Sequence, residues 1–304
     1  MVNICCLLDA CTVINLIHID EDDFLLKKIK KLDIHINDLV FNEIKANVYV
    51  RTSRDFSSKL SDKAKWKEAK TKIEQNLTFY RGKKNNNEDL LKDVGSNYFE
   101  RIKVLTNYKK RVNGELCSTA YALYLSRYHS KNVFFYTDDY PAKEDFSDFF
   151  HYQQIGQIKD SVDLIILLYW LDENFTDQQL QSKLSELYSQ YATEITLLKN
   201  KLRKFNQEKV DAQFLRSKKE IALKLRELIF RLDNLDFKNI NDYYSFFVDK
   251  KAKCKDVYSI IQEFSSVFEL DKDSNEGSLL SKITELRGNI GKVKVLKLED
   301  LIDS

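Results

Sequence analysis

The chain has 304 residues, and its 49 Lys or Arg against 47 Asp or Glu leave a formal net charge of +2, so the total charge selects no partner. Only 7 Gly and 1 Pro interrupt it, which predicts a mostly helical chain, and the length allows a full core and two structural units. Its five cysteines (Cys5, Cys6, Cys11, Cys117 and Cys254) form no CxxC pair, and the four histidines match no ligand spacing, which excludes a disulfide framework and a zinc site.

Residues 4–8 (Ile-Cys-Cys-Leu-Leu) read as a buried strand, and Asp9 to Ile17 turn into a first helix. Asp20-Glu21-Asp22-Asp23 suits the positive end of the next helix and reads as a solvated cap. Residues 33–37 alternate as a short strand does, and Asp38 is the expected N-cap of a helix carrying Glu43. Residues 51–92 are polar, with 12 Lys or Arg against 6 Asp or Glu and with Trp66, Phe79 and Tyr80 interleaved. Their spacing predicts a helical pair projecting from the core, with residues 81–87 as a loop. A helix over 96–112 and another from Asn113-Gly114 lead to a strand at 132–137, rich in aromatic and β-branched residues. Residues 161–171 make an apolar helix whose longest run, Leu164 to Leu171, is far too short to span a membrane. The first apolar stretch lacks the basic region of a secretory signal, and the chain is read as cytoplasmic.

Thr176-Asp177 caps the following helix, in which apolar residues from Leu180 to Phe205 recur every three or four positions. Residues 210–235 continue the pattern on a second helix. Further helices are expected at 242–249, 255–270 and 277–287, and the tail 292–298 alternates like a short edge strand. The expected fold class is α/β: a short, mostly parallel sheet sandwiched by helices, followed by an all-helical C-terminal region. The boundary is placed near residue 190, giving segments 1–190 and 191–304, with a basic helical insertion at about 51–95.

Four acidic settings carry the chemistry. Asp9 ends the first strand, and Asp138-Asp139 end the strand Val133-Phe134-Phe135-Tyr136-Thr137. Glu43 and Glu115 stand early in helices. In an alternating strand–helix fold such positions converge at the C-terminal edge of a parallel sheet. Clustered carboxylates there suit Mg²⁺ or Mn²⁺, because hard divalent ions take oxygen ligands. Each residue has a plainer reading by itself: Asp9 as a helix cap, Glu43 and Glu115 as solvated helix residues, Asp138 and Asp139 as turn residues before Pro141.

Taken together, the motifs resemble the PIN-domain family of metal-dependent nucleases over about residues 1–185. Leu7-Leu8-Asp9-Ala10-Cys11-Thr12-Val13-Ile14-Asn15-Leu16 is similar to the family's first strand with its metal-binding Asp. Asn42-Glu43-Ile44, Gly114-Glu115-Leu116 and Tyr136-Thr137-Asp138-Asp139 resemble its other acidic sites in the same order. The resemblance implies Asp9, Glu43, Glu115 and Asp139 as metal ligands, Asp138 as the alternative fourth ligand, and Thr137 orienting a water or a neighbouring carboxylate. It further implies one or two Mg²⁺ or Mn²⁺ ions, phosphodiester hydrolysis leaving 5′-phosphate and 3′-hydroxyl ends, RNA ahead of DNA as substrate, and a toxin or defence role. Cys11 departs from the Ser, Thr or Asn that many members carry there, and Asn15 is placed either to tie down a carboxylate or to fix the helix backbone.

The segment 51–92 supplies cations and aromatics for nucleic acid, with Arg51, Arg54, Lys63, Lys67, Lys70, Arg81, Lys83 and Lys84 as candidates. Residues 199–231, with 11 Lys or Arg against 4 Asp or Glu, form a second basic stretch. A solvated helix face explains either stretch equally well. The C-terminal helices are expected to pack as core first, with a homodimer, a substrate clamp, or an inhibitor or activator protein as the other readings. A catalytically silent scaffold binding nucleic acid or protein, and a deoxyribonuclease using the same site, are the rival functions.

Overall fold

A computed structural model describes residues 4–20, 22–56, 63–234, 236–269 and 278–292. Up to Leu171 the strands are separated by one to three helices each. The order is β1 (Ile4–Leu8), α1 (Ala10–Ile19), α2 (Phe24–Ile29), β2 (Ile34–Asn37), α3 (Asp38–Phe56), α4 (Lys63–Arg81) and β3 (Lys84–Asn85). It continues with α5 (Asn87–Val94), α6 (Tyr98–Thr106), α7 (Gly114–His129), β4 (Asn132–Tyr136), α8 (Tyr140–Tyr152), β5 (Gly156–Lys159) and α9 (Ser161–Leu171).

The five strands pair in the order β3-β2-β1-β4-β5, and every pairing is parallel. Cys5 lies beside Val133 and Leu8 beside Tyr136, so β1 and β4 end level with each other. Both faces of the sheet are buried, which explains why these two strands read as unbroken apolar runs. Cys5, Leu7, Val133 and Phe135 meet Ala120 of α7 and Phe146 and Phe150 of α8 on one face. On the other, the Tyr136 side chain meets Cys6 and faces Asp160 and Asp163 at the start of α9. β5 opens on Gly156 at φ +150°, where a β-carbon would stand 2.0 Å from the Val133 carbonyl oxygen.

Several local expectations are corrected. Asp20 is a buried cap rather than a solvated one: its two oxygens accept from the amides of Leu25 and Leu26 at 2.8 Å each. Asp38 lies inside α3, and Asn37 Oδ1 takes the Leu39 amide at 3.0 Å. The expected loop at 81–87 contains β3, which adds to the sheet beyond β2. The helix expected over 96–112 stops at Thr106, with Asn107 at φ 53°. α4 does not project freely, because Ile73, Leu77 and Tyr80 are buried along one face. α8 and β5 were not foreseen at all.

The described residues fall into two compact units, with the break between Lys183 and Leu184 inside α10 (Asp177–Lys209). Thr176 and Gln179 exchange bonds as a capping box at the start of α10. The second unit continues with α11 (Ala212–Ser217), α12 (Lys219–Asp233), α13 (Asn241–Asp249), α14 (Lys255–Glu263), a 3₁₀ turn at Ser265–Phe268 and α15 (Ser278–Gly291). The single helix expected over 210–235 is thus two, broken at Lys218, and the one expected over 255–270 ends in the 3₁₀ turn. Leu187, Tyr191, Ile195, Leu198 and Leu202 of α10 are buried, as are Leu225, Leu228 and Leu232 of α12. The edge strand expected at 292–298 lies outside the described residues from 293 onward. Among the described residues no helix is long and apolar enough to cross a membrane.

Candidate metal centre

Parallel pairing brings the ends of β1 and β4 together, and the ladder runs one step past them. The Asp9 amide donates to the Tyr136 carbonyl and the Thr137 amide to the Lys159 carbonyl, both at 2.9 Å. The chain then turns into α1 and α8, with Asp9 and Asp139 at their N-cap positions. Neither side chain makes a capping hydrogen bond. The usual capping bond to the second or third helical amide therefore does not account for them.

Glu43 arrives on α3 and Glu115 on the first turn of α7. Asn113 caps α7 by accepting from the Leu116 amide at 3.2 Å. Gly114 lets α7 start close to α3: a β-carbon there would stand 2.9 Å from Val40 Cγ2 and 3.7 Å from Glu43 Oε2. The two glutamates are thereby brought to the same edge as the two aspartates.

A network of donors holds these groups. Thr137 Oγ1 donates to Asp9 Oδ2 at 2.9 Å and accepts from the Asp139 amide at 3.1 Å. Cys11 Sγ donates to the same Asp9 oxygen at 3.1 Å and accepts from the Asp138 amide at 3.1 Å. The thiol thus does what a hydroxyl would do at position 11. Asn15 Nδ2 donates to Asp138 Oδ2 at 2.6 Å, so Asn15 ties down a carboxylate rather than only its own helix. Ser161 donates to both Asp138 oxygens, through its amide to Oδ1 at 3.1 Å and through its hydroxyl to Oδ2. Both Asp138 oxygens are thus taken by protein donors that join β4 to α1 and α9. Tyr108 donates to Glu115 Oε2 at 2.8 Å, and Lys110 Nζ stands 3.8 Å from the same oxygen.

The charges are mutually unfavourable without a cation. Burial pushes the Asp9 carboxyl up; hydrogen bonds from Cys11, the Ala10 amide and Thr137 offset this in part, and the Glu115 charge adds to it. Burial, then the charges of Asp9 and Glu115, push Glu43 up as well. For Glu115 burial acts in the raising direction, but hydrogen bonding with Asp139 and Tyr108, the Lys110 charge and Asn113 together hold it below its ordinary value. Asp9, Glu43, Glu115 and Asp139 offer oxygen ligands alone, and the charge of Glu115 raises both Asp9 and Glu43, so the donor chemistry of these residues fits Mg²⁺ or Mn²⁺.

The spacing is wider than a loaded site requires. Among the described residues, the three-membered set whose possible ligand atoms all lie within 4.8 Å of one another is Cys5, Asp33 and His35, and the carboxylates must draw inward to share an ion. That other set lies at the opposite end of the sheet and is already satisfied. Asp33 pairs with His35 Nε2 at 3.1 Å and with Lys131 Nζ at 2.9 Å, while burial, then the Asp33 charge, keeps the Cys5 thiol protonated.

Among the expected nucleic-acid residues, Arg51, Arg54 and Lys63 lie on α3 and α4, with side chains outside what is described. Lys67, Lys70, Arg81 and Lys84 are exposed, Lys83 is half-buried, and Lys67 shares a shallow surface pocket with Asp23, Thr71 and Lys72. Part of the second basic stretch is engaged in ion pairs: Arg203 with Asp233 at 2.7 Å, Lys201 with Glu263 at 2.7 Å, and Lys224 with Glu227 at 2.9 Å. Sequence reading missed Tyr108 and Lys110, which fell inside an expected helix. The signal was there in Tyr108-Lys109-Lys110-Arg111 standing just before the Asn113-Gly114 cap. In comparison with known proteins, the chain matches no family model, no curated protein and no solved structure.

Proposed function

We propose that this edge is the active site of a divalent-metal-dependent nuclease of PIN-like type, cutting single-stranded or structured RNA. One observation carries the reading: four carboxylates from four separate segments lie close enough at one edge of the sheet to interact, and the two at helix N-termini make no side-chain capping bond. Asp9 is buried and its pKa is raised despite the donors around it, a strain that a bound cation would relieve.

Asp9, Glu43, Glu115 and Asp139 hold the ion or ions in this reading. A divalent ion bound there would supply a water of lowered pKa and neutralise charge on the phosphate. The remaining work falls to the chain itself. Thr137 and Cys11 both donate to one oxygen of the Asp9 carboxylate and so fix its orientation. Tyr108 fixes Glu115. Asp138 acts as a brace, not a ligand, holding the β4 end against α1 and α9.

The preference for RNA over DNA, a toxin or defence role and a regulatory protein partner rest on the family resemblance; a cytoplasmic location rests on the unpaired cysteines and the lack of a secretory signal. Cleavage of labelled single-stranded RNA and its DNA counterpart tests the reading, in Mn²⁺, in EDTA, and with the Asp9→Asn/Asp139→Asn double variant. Metal-dependent cutting that the variant loses supports it, and the ratio of RNA to DNA products fixes the substrate class. The wide spacing of the carboxylates favours a second reading, a catalytically silent scaffold that binds nucleic acid or protein. Binding of RNA without any cutting, unchanged in the double variant, would establish that reading instead.

A further inference from the structure

The carboxylate edge has a basic neighbour. Lys109, Lys110, Arg111 and Val112 are all exposed, on the segment between α6 and α7 that leads directly into Glu115. Lys110 Nζ stands 3.4 Å from Asp145 Oδ2, 3.8 Å from Glu115 Oε2 and 5.5 Å from the centre of the Tyr108 ring. It also feels the charge of Asp139. Tyr108 is buried, and its hydroxyl bonds Asn113 and Glu115, so the base of the segment is anchored while its cations reach solvent.

We propose that Lys110 is the internal counter-cation of the metal-free carboxylate edge and becomes a ligand for a nucleic-acid phosphate once a divalent ion replaces it, with Lys109 and Arg111 extending the same phosphate strip. This inference rests on the nuclease reading above. Its physical basis is a competition between cations for Glu115. The Lys110 side chain is 51% exposed, so its pairing is weak and is given up at little cost. A divalent ion on Glu115 places two positive charges within a few ångströms and repels the ammonium outward. The four-carbon stem lets that ammonium swing without moving the backbone. A phosphodiester drawn to the edge then meets Lys110, Lys109 and Arg111 along one short strip of chain. Single-stranded nucleic acid suits such a strip, because its flexible backbone can bring successive phosphates to cations on one short segment.

The test uses the full chain, with Lys110→Gln removing the charge and Lys110→Arg keeping it. Mn²⁺ affinity is measured by calorimetry without nucleic acid. Affinity for a labelled single-stranded RNA is measured by anisotropy in Ca²⁺ over a salt series. The Gln variant is expected to bind Mn²⁺ about two- to fivefold more tightly, because its competitor is gone. It is expected to bind RNA more weakly, with a log–log salt slope shallower by about 0.7. The Arg variant is expected to keep the wild-type slope. A merely structural Lys110 would not move the two affinities in opposite directions. Equal Mn²⁺ affinity in wild type and Gln variant overturns this inference and leaves the nuclease reading standing, as does tighter Mn²⁺ binding with RNA affinity unchanged. A wild type that binds no Mn²⁺ overturns both.

Discussion

Thr137 Oγ1 lies 2.9 Å from Asp9 Oδ2, in a buried bond that joins the ends of two adjacent parallel strands. The same hydroxyl accepts from the Asp139 amide, so one side chain fixes an acidic residue on each strand end. Thr137→Val keeps the shape and removes both bonds. It is expected to cost about 1–3 kcal/mol in urea unfolding, because the Asp139 amide and an Asp9 lone pair lose their partner. Thr137→Ser keeps the hydroxyl and loses a methyl, at about 1 kcal/mol. Equal losses for the two variants would show that packing, not hydrogen bonding, sets the role of Thr137.

Asp9→Asn is expected to stabilise the metal-free protein while abolishing its response to metal. Burial raises the folded-state pKa of Asp9 above its ordinary 3.8. As pH climbs from 3.8 the unfolded chain gives up this proton while the folded one retains it, so stability falls until pH passes the folded value. Asn removes that penalty and still offers an oxygen to Thr137 and Cys11, which both donate to one Asp9 oxygen. In EDTA at neutral pH the variant should be more stable by about 0.5–2 kcal/mol, the usual scale when a functional site is relaxed. The gap should close below pH 3.8, and Mn²⁺ should raise the Tm of the wild type alone. A constant gap across pH would mean that the charge of Asp9 is not the cause.

Asp138 and Asp139 are adjacent in sequence but are expected to fail differently. Asp138 accepts from Asn15 and twice from Ser161, so Asp138→Ala should cost about 1–3 kcal/mol of stability with little change in Mn²⁺ affinity. Asp139 makes no side-chain capping bond and interacts with Glu115 at the carboxylate edge, so Asp139→Asn should leave stability nearly unchanged and weaken Mn²⁺ binding. Unfolding curves in EDTA beside Mn²⁺ titrations separate the two. The opposite pattern would exchange their roles.

The elements that carry the carboxylates were legible because their signals are local. An apolar run ending in Asp, as at Leu8-Asp9 and Tyr136-Thr137-Asp138-Asp139, marks a buried strand turning into a helix. Asn113-Gly114 before Glu115 marks a helix start, and the long stripe from Leu180 to Phe205 has a period that no strand can match. What escaped depends on tertiary contact. β3 is two residues of Lys-Asn, with no apolar pattern, and exists because the free edge of β2 accepts it. β5 is Gly-Gln-Ile-Lys, whose pattern is too short to weigh against a loop. The division of labour between Asp138 and Asp139 turns on where Asn15 and Ser161 arrive in space, and no spacing in the chain encodes that. Lys110 was hidden by a helix drawn six residues too long, past the left-handed Asn107 that ends α6 at Thr106.

Gly156 is the residue on which β5 is most exposed to substitution. It sits at φ +150°, and an alanine β-carbon would stand 2.0 Å from the Val133 carbonyl oxygen. Backbone must move to relieve that contact, and the displaced strand is the one whose Lys159 carbonyl takes the Thr137 amide. Gly156→Ala should cost about 3 kcal/mol or more. It should also lower Mn²⁺ affinity, because Thr137 loses its anchor. A variant as stable as wild type would mean that β5 can shift freely against β4.

The acid limit of the first unit is expected to depend on Asp172. The Lys28 ammonium, nearly buried and lying over the Phe24 ring at 4.3 Å, donates to Asp172 Oδ2 at 2.8 Å, and Lys31 donates to it at 3.2 Å. Hydrogen bonds from Lys28, the Asn174 amide and Lys31 hold this carboxyl well below its ordinary value of 3.8. A depressed folded-state pKa stabilises the fold fully above the unfolded value and ceases to do so as pH falls from 3.8 through the folded value. Asp172→Asn should therefore lower the urea midpoint at neutral pH. The difference from wild type should shrink only below pH 3.8, because a protonated Asp172 abandons Lys28 just as Asn does. Nearly buried Lys28 then lacks its counter-charge in both proteins, and their midpoints should meet. A difference that persists at the lowest pH would assign the loss to packing at the end of α9 rather than to the ion pair.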